Sequence, residues 1–459
     1  MFAALVAFLL MGYPVAFALA ANGLLFALIG IQQGFFGVEL LGAVPARIYG
    51  IMQNETLLAI PFFTFMGLIL EKSGMAEDLL DTIGQLFGPV RGGLAFAVIF
   101  VGALLAATTG VVAASVIAMG LIALPIMLRY GYDRRLASGV IAASGTLAQI
   151  IPPSLVLIVL ADQLRQPVSD LYQGAMVPAL LLTGLYAVYV ALIALLRPNM
   201  APALPRAARA LAGGALAARV ARALLPPLVL VFLVLGTIFI GLATPTEAGA
   251  MGAVGALVLA AVKGRLKRTL IVQALDTTTK LSAFVMFILI GSTVFGLVFR
   301  AVNGDLWVEG LLTALPGGAL GFLIAVNVLV FVLAFFLDFF ELAFILVPLL
   351  APVAEKLGID LVWFGVVLAL NMQTSFMHPP FGFALFYLRS VAPREAYLDK
   401  VTGQRLDGVS TGQIYWGAVP FVLMQLVMVT LVIAFPQLVG SHQAAREEAP
   451  PLRIELPAE

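Results

Sequence analysis

The chain has no cysteine, only two histidines, and few charges, with lysine, arginine, aspartate and glutamate together making 11% of its 459 residues. Without cysteine there can be no disulfide and no thiolate nucleophile or metal ligand. The histidines, His378 and His442, stand far apart with no His-Glu-x-x-His spacing, so metal-dependent hydrolysis is not expected. No glycine-rich phosphate loop ends in Lys-Ser or Lys-Thr, which excludes ATP as the direct driving force. An aspartyl site needs two membrane aspartates, and Asp338 has no evident partner. An enzyme is therefore not expected. A net charge of +1 gives no cause to invoke nucleic acid.

The shortage of charge is itself informative. Soluble chains carry about 25% charged residues, and at half that share too little polar surface remains to hold a large domain in water. Apolar residues make 62% of the chain, in runs such as 224–243, 283–299 and 322–336. These approach the roughly 20 residues that cross a bilayer as a helix, and we expect roughly ten to twelve membrane segments, some too short to span alone. The opening stretch to Ile31 has no basic patch before its apolar core, so it is expected to be a retained membrane helix, not a cleaved signal.

Charge distribution orients the chain. Arginines crowd residues 197–222 without an acid among them, and Lys263, Arg265, Lys267 and Arg268 follow. Both clusters are expected on the cytoplasmic side, with one helix out and one back between them. The Arg-rich stretch then reads as a cytoplasmic, partly amphipathic linker. It separates a first repeat at 1–196 from a connecting helix and second repeat at 223–436, followed by a tail at 437–459. The N-terminus is expected in the cytoplasm and the Glu/Pro-rich C-terminal tail outside it.

An internal repeat follows from sliding the sequence on itself. At a shift of 227, Gly131 and Asp133 fall on Gly358 and Asp360, Pro125 on Pro352, and Pro152-Pro153 on Pro379-Pro380. With small gaps, Gly12-Tyr13-Pro14 resembles Ala243-Thr244-Pro245, and Leu171–Ala175 resembles Ile414–Ala418. If the first half starts inside and the second outside, the halves are inverted, a common plan in secondary transporters. The expected fold is an all-α polytopic membrane protein of two inverted-topology repeats with re-entrant hairpins and broken helices.

Transport chemistry is expected where helices break at mid-membrane. In the first half, Thr108-Thr109-Gly110 interrupts an apolar run as a hairpin tip would, and Ser144-Gly145-Thr146 precedes Pro152-Pro153-Ser154. In the second, Asp338 interrupts a phenylalanine-rich run, and Asn371-Met372-Gln373-Thr374-Ser375 precedes His378-Pro379-Pro380. The proline pairs supply no amide hydrogens and disfavour helix before them. Freed carbonyls, hydroxyls and amide oxygens then form a hard-oxygen shell suited to sodium, and the helix N-termini beyond the breaks favour an anion.

The isolated charges divide between structure and function. Asp338 is a hairpin brace or an ion-site carboxylate, since an unpaired acid at mid-membrane is costly. Glu247 is expected to cap a helix, and Glu71-Lys72 and Glu355-Lys356 to mark interfacial helix ends. His378 is a structural or a titrating residue. Arg300 and Arg389 snorkel to the interface or, with Ser154 and His378, meet a substrate carboxylate.

These motifs together resemble the large membrane subunit of the tripartite ATP-independent periplasmic (TRAP) transporters, the DctM-like proteins, over essentially the whole chain. The segments that carry the resemblance are Gly131 to Ser154, Ala243-Thr244-Pro245-Thr246-Glu247-Ala248, and Gly358 through Asn371–Ser375 to Pro379-Pro380-Phe381-Gly382. The resemblance implies sodium-coupled uptake of a small organic acid by an elevator mechanism, in the bacterial inner membrane. It also implies a separate small four-helix membrane subunit and a periplasmic binding protein that delivers the substrate. It places sodium at the first tip (Thr108 to Gly110), at Ser144 to Thr146, near Asp338, and at Asn371 to Ser375. The first tip departs from the Ser-Gly-Ser-like pattern of many relatives, keeping the hydroxyls. The run from Asn371 to Leu388 is similar to the branch labelled mannitol or chloroaromatic transport, which implies 2-oxo acids or lactate beside C4-dicarboxylates. A self-sufficient sodium/dicarboxylate carrier of the same superfamily would share this architecture without a binding protein.

Overall fold

The structure is a computed structural model that describes residues 1–209, 213–399 and 401–440, apart from the side chains of Phe2, Leu10, Thr109 and Ala207. His442 and most of the C-terminal tail lie outside the described residues. Helix accounts for nearly all of it; among the described residues the exception is a two-stranded antiparallel ribbon pairing Tyr397 with Leu406 and Leu398 with Arg405. Among the described residues, seven helices are long and apolar enough to cross a membrane, or up to nine when two bent pairs each count as one span. The shorter apolar helices belong to the hairpins and broken crossings, as the low charge content and interrupted runs require.

The repeat is written in the helix boundaries. Helix Val112–Arg129 maps onto Phe339–Lys356 at the shift of 227 (112 + 227 = 339, 129 + 227 = 356). Arg134–Thr146 maps onto Leu361–Gln373 at the same shift (134 + 227 = 361, 146 + 227 = 373). Each of the latter helices starts on an aspartate whose carboxylate accepts backbone N–H groups of the first turn: Asp133 from Arg135 and Leu136, and Asp360 from Trp363. Such a cap is worth about 1 kcal/mol. Each helix then tightens into one 3₁₀ turn, Leu147–Gln149 or Thr374–Phe376, and breaks ahead of its proline pair. Both pairs contain a cis peptide bond. Helices Leu155–Leu164 and Phe383–Val391 continue the two crossings.

Two re-entrant hairpins flank these crossings. In the first, Gly93–Thr109 turns at Gly110, whose φ of +59° only glycine adopts freely, into Val112–Arg129. In the second, Gly318–Leu333 leads through a short turn to Asp338 and Phe339–Lys356. Their feet lie at opposite ends of the molecule. At the first foot Asp133 N–H donates to Met200 O (2.9 Å), and nearby Gly92 N–H donates to Ala201 O (2.8 Å). That end also gathers the basic segments: Arg265 and Lys263 pair with Asp78 (3.1 and 3.2 Å) and Arg219 pairs with Asp81 (2.6 Å). At the opposite end, the second foot carries the Lys356–Glu309 ion pair, and there Asn54 Nδ2 donates to Asp162 Oδ1 (2.5 Å). The repeats are thus inverted, and the two basic clusters share one end.

Helix Gly213–Phe239 begins within the Arg-rich stretch and carries Arg219 and Arg222. Leucine and alanine spacing there is helical throughout, so the membrane crossing simply extends into the basic region. The capping expectation for Glu247 holds, with Thr244 and Glu247 forming a reciprocal capping box at helix Pro245–Val262. Lys72 and Lys356 end their helices.

Close packing is built from small residues, as expected where lipid offers no hydrophobic drive between helices. A Cβ at Gly139 would lie 2.1 Å from the carbonyl oxygen of Gly417, so the first broken helix and Thr411–Ala434 touch backbone to backbone. Helix Val168–Leu196 also packs on Thr411–Ala434, where its Tyr186 and Tyr189 meet Phe421 edge-on at 5.1 and 5.3 Å. Each such aromatic contact adds about 0.5–1.5 kcal/mol beyond burial.

Candidate functional site

The two broken crossings meet at the pseudo-twofold axis. Thr146 and Gln373 are equivalent positions (146 + 227 = 373), and Gln373 Nε2 donates to Thr146 Oγ1 at 3.2 Å. Thr146 in turn donates to Ala143 O (2.8 Å). In the second half, Thr374 and Ser375 donate to Asn371 O and Met372 O (both 2.6 Å). These hydroxyls occupy carbonyls of the last helical turns.

Each break is seated against its hairpin, by unlike residues. In the first half a Cβ at Gly102 would lie 2.5 Å from Ser144 Cβ, and one at Gly145 2.3 Å from Val116 Cγ2. In the second half Asn371 Nδ2 donates to Asn327 O (2.8 Å) and Oδ1 (2.9 Å). What remains is a set of buried oxygens with no hydrogen-bond partner: Ser144 Oγ, Asn371 Oδ1 and Gln373 Oε1. Leaving such groups unpaired costs about 1–3 kcal/mol each. Hydroxyl, amide and carbonyl oxygens without a thiolate or imidazole are the donor set of a small hard cation. The residues therefore fit sodium, and Ser144, Thr146, Asn371 and Gln373 with adjacent carbonyls are those that could hold it.

In front of the breaks the two hairpin tips open on one cavity of about 720 Å³. Gly110 to Ala113 reach it from the first tip and Asp338 to Glu341 from the second, with Gln149 and Phe376 at the breaks (149 + 227 = 376). Tyr13 to Phe17 and the Thr277 to Phe287 stretch close the far side. Asp338 and Glu341 form a capping box: Glu341 N–H donates to Asp338 Oδ1 (2.9 Å), and Asp338 N–H to Glu341 Oε2 (3.0 Å). Asp338 is thus a brace that also faces the cavity.

The other candidates lie elsewhere. Thr108 is buried and donates to Leu105 O (3.0 Å); the Thr109 side chain is outside the described part. Ser154 caps helix Leu155–Leu164 and donates to Gln149 O. His378 is stacked on Phe335 and met edge-on by Phe331, ring centroids 4.3 Å away in both cases. Arg300 lines a separate cavity of about 500 Å³ at the opposite end, near Asn54 and Asp162. Arg389 donates to Val409 O and to Ala392 O (2.8 Å), bracing a loop. Neither arginine lines the cavity between the tips: apolar runs ending in arginine hold it at a helix end, far from mid-membrane. Sequence reasoning passed over Gln149, Glu341, Asn327 and Gly102. Asp-x-x-Glu at a helix start was a signal available for Glu341; nothing local marks the others.

Comparison with known proteins agrees with this architecture. Residues 2–438 match the family described as tripartite ATP-independent periplasmic transporter, DctM component. The chain belongs to that family. It is similar to the C4-dicarboxylate TRAP transporter large permease protein DctM of Pseudomonas aeruginosa, 31% identical over 404 residues, covering 87% of this chain and 89% of that one. It is also similar to the ectoine/5-hydroxyectoine TRAP transporter large permease protein UehC of Ruegeria pomeroyi, 27% identical and covering 95% and 96%. Among solved structures, the YdaH transporter of Alcanivorax borkumensis has a like fold, with TM-score 0.59, 16% identity, and 88% and 90% of the two chains covered. This DctM-family chain is thus a multi-pass membrane permease subunit and not an enzyme.

Proposed function

We propose that this DctM-family chain is the large permease of a sodium-coupled uptake system for a small organic acid in the bacterial inner membrane. The observation that carries this reading is the convergence of two inverted tips on one cavity, backed by buried unpaired oxygens at both breaks. Sodium at the breaks would satisfy those oxygens and stiffen the tips; this chain's own amides and side chains then hold the acid between them. A domain whose sites are empty keeps unpaired polar groups and crosses poorly, which links the two flows. The mobile body comprises the hairpins and broken crossings, and moves past a wall made by Val15–Gln32, Arg268–Ala301 and their neighbours as an elevator.

The relatives named above act on dicarboxylate and on ectoine, so family alone leaves the acid open among C4-dicarboxylates, 2-oxo acids and lactate-like compounds. A separate four-helix membrane subunit and a periplasmic binding protein are the partners, as the tripartite family implies. That both basic clusters lie at one end supports reading that end as cytoplasmic. The test is uptake of labelled acids into proteoliposomes, with sodium, the small subunit and the binding protein each withheld in turn. Uptake that needs all three supports the proposal. Sodium-driven uptake by this chain alone would favour a self-sufficient carrier.

A further inference from the structure

The repeat makes the two tips equivalent, yet their chemistry is opposite. Val111 and Ala114 of the first correspond to Asp338 and Glu341 of the second (111 + 227 = 338, 114 + 227 = 341). Val111 has no side-chain oxygen, and helix Val112–Arg129 starts with no side-chain cap. Its first amides, unpaired within the helix, are at the cavity, where Val112 and Ala113 line it. At the second tip the corresponding N-terminus is already occupied by its own two carboxylates.

A second observation marks the first tip as a ligand site. Gln149 lines the same cavity, is only 2% exposed, and has neither Nε2 nor Oε1 hydrogen-bonded. A buried primary amide left wholly unpaired costs free energy that a ligand can return. The rest of the wall is apolar and aromatic, including Phe339, Phe340, Phe376 and Phe383 with Phe284 and Phe287 opposite. Among the described residues lining the cavity, Asp338 and Glu341 are the only charged groups, and there is no lysine, arginine or histidine.

We infer that the cavity takes monocarboxylic acids with an apolar body and rejects dicarboxylates. The single carboxylate receives hydrogen bonds from the Val112 and Ala113 amides and from Gln149 Nε2. An 18-residue helix also offers the positive end of its dipole there. The apolar body lies on the phenylalanines. A second carboxylate at the far end of the ligand would meet Asp338 and Glu341 with no cation to pair it, which is how specificity is enforced by a repulsive element.

This inference rests on the organic-acid reading and deepens it. The test is equilibrium binding to the full chain purified in detergent in sodium buffer, without the binding protein, using labelled 4-methyl-2-oxopentanoate and succinate. The branched acid is expected to bind about ten-fold or more tightly than succinate. Gln149→Leu should weaken the branched acid by about ten-fold, the worth of one good hydrogen bond to a charged group. Glu341→Gln, which keeps the reciprocal cap, should narrow the gap by improving succinate several-fold. Succinate binding as well as the branched acid, or an unchanged affinity in Gln149→Leu, would overturn the inference while leaving the organic-acid reading standing. Binding of neither acid in sodium would overturn both.

Discussion

Arg129 and Asp399 lie 270 residues apart in sequence and form a forked ion pair: Arg129 Nε and Nη2 both donate to Asp399, at 2.8 to 3.0 Å. The pair ties the foot of the first hairpin to the ribbon that follows the second broken crossing. Thr402 adds two donors, its N–H (2.9 Å) and its hydroxyl (2.6 Å). Two segments from opposite repeats are thereby joined by charge-assisted hydrogen bonds.

Asp399 should contribute to stability in a defined pH window. The Arg129 guanidinium, and then Thr402, hold its carboxyl well below the usual carboxylate range. A depressed folded value means the contribution is fully present above the unfolded value of about 3.9 and disappears as pH falls through the folded one. The melting-temperature difference between the natural chain and Asp399→Asn should therefore be flat from about pH 5 to 8 and shrink only below about pH 4. A difference that grows between pH 5 and 8 would show that another group is responsible.

Thr146→Val leaves Gln373 Nε2 buried without its partner, at a cost of about 1–3 kcal/mol. Replacing both, as Thr146→Val with Gln373→Leu, should cost clearly less than the sum of the two single changes, because the pair shares one hydrogen bond. Thermal or denaturant unfolding in detergent measures the cycle. Strict additivity would mean that the two breaks are energetically independent.

Ser144→Leu and Asn371→Leu each fill a break with an apolar side chain in place of an unpaired or amide oxygen. Sodium-dependent uptake should fall to background in both, with normal amounts of assembled protein in the membrane. Uptake with unaltered sodium half-saturation in both variants would remove these residues from the ion site.

Gly139→Val places side-chain atoms where Gly417 O already sits, with a Cβ only 2.1 Å from it. Folded yield should collapse, seen as loss of the monodisperse peak on size exclusion, while Gly214→Val, at a position with open space around it, should be tolerated.

The chain has no cysteine, so single introduced thiols report sidedness cleanly. Arg265→Cys should react with an impermeant maleimide only after the cells are opened, and Gln166→Cys in intact cells. The reverse pattern would invert the orientation argued from the basic clusters.

Much of this architecture is legible along the chain because it depends on local chemistry. The shortage of charge required lipid, and the shift of 227 anticipated helix ends that coincide residue for residue. Proline pairs placed both breaks, and arginine clusters gathered at one end as the cost of burying charge demands. Glycine and aspartate at matching positions marked the repeat, and those aspartates cap the two broken helices. Only the tertiary structure decided which polar groups meet. Gln149 has no distinguishing neighbours in sequence, yet packing brings it to the cavity with both amide atoms unpaired. Arg300 and Arg389 looked equally able to face a carboxylate, and packing sent one to the opposite end and set the other to brace a loop. Thr146 and Gln373 are related by the repeat, but their hydrogen bond exists because the axis passes between them. Periodicity and composition act within a few residues; contacts across a fold depend on how whole helices are laid against each other.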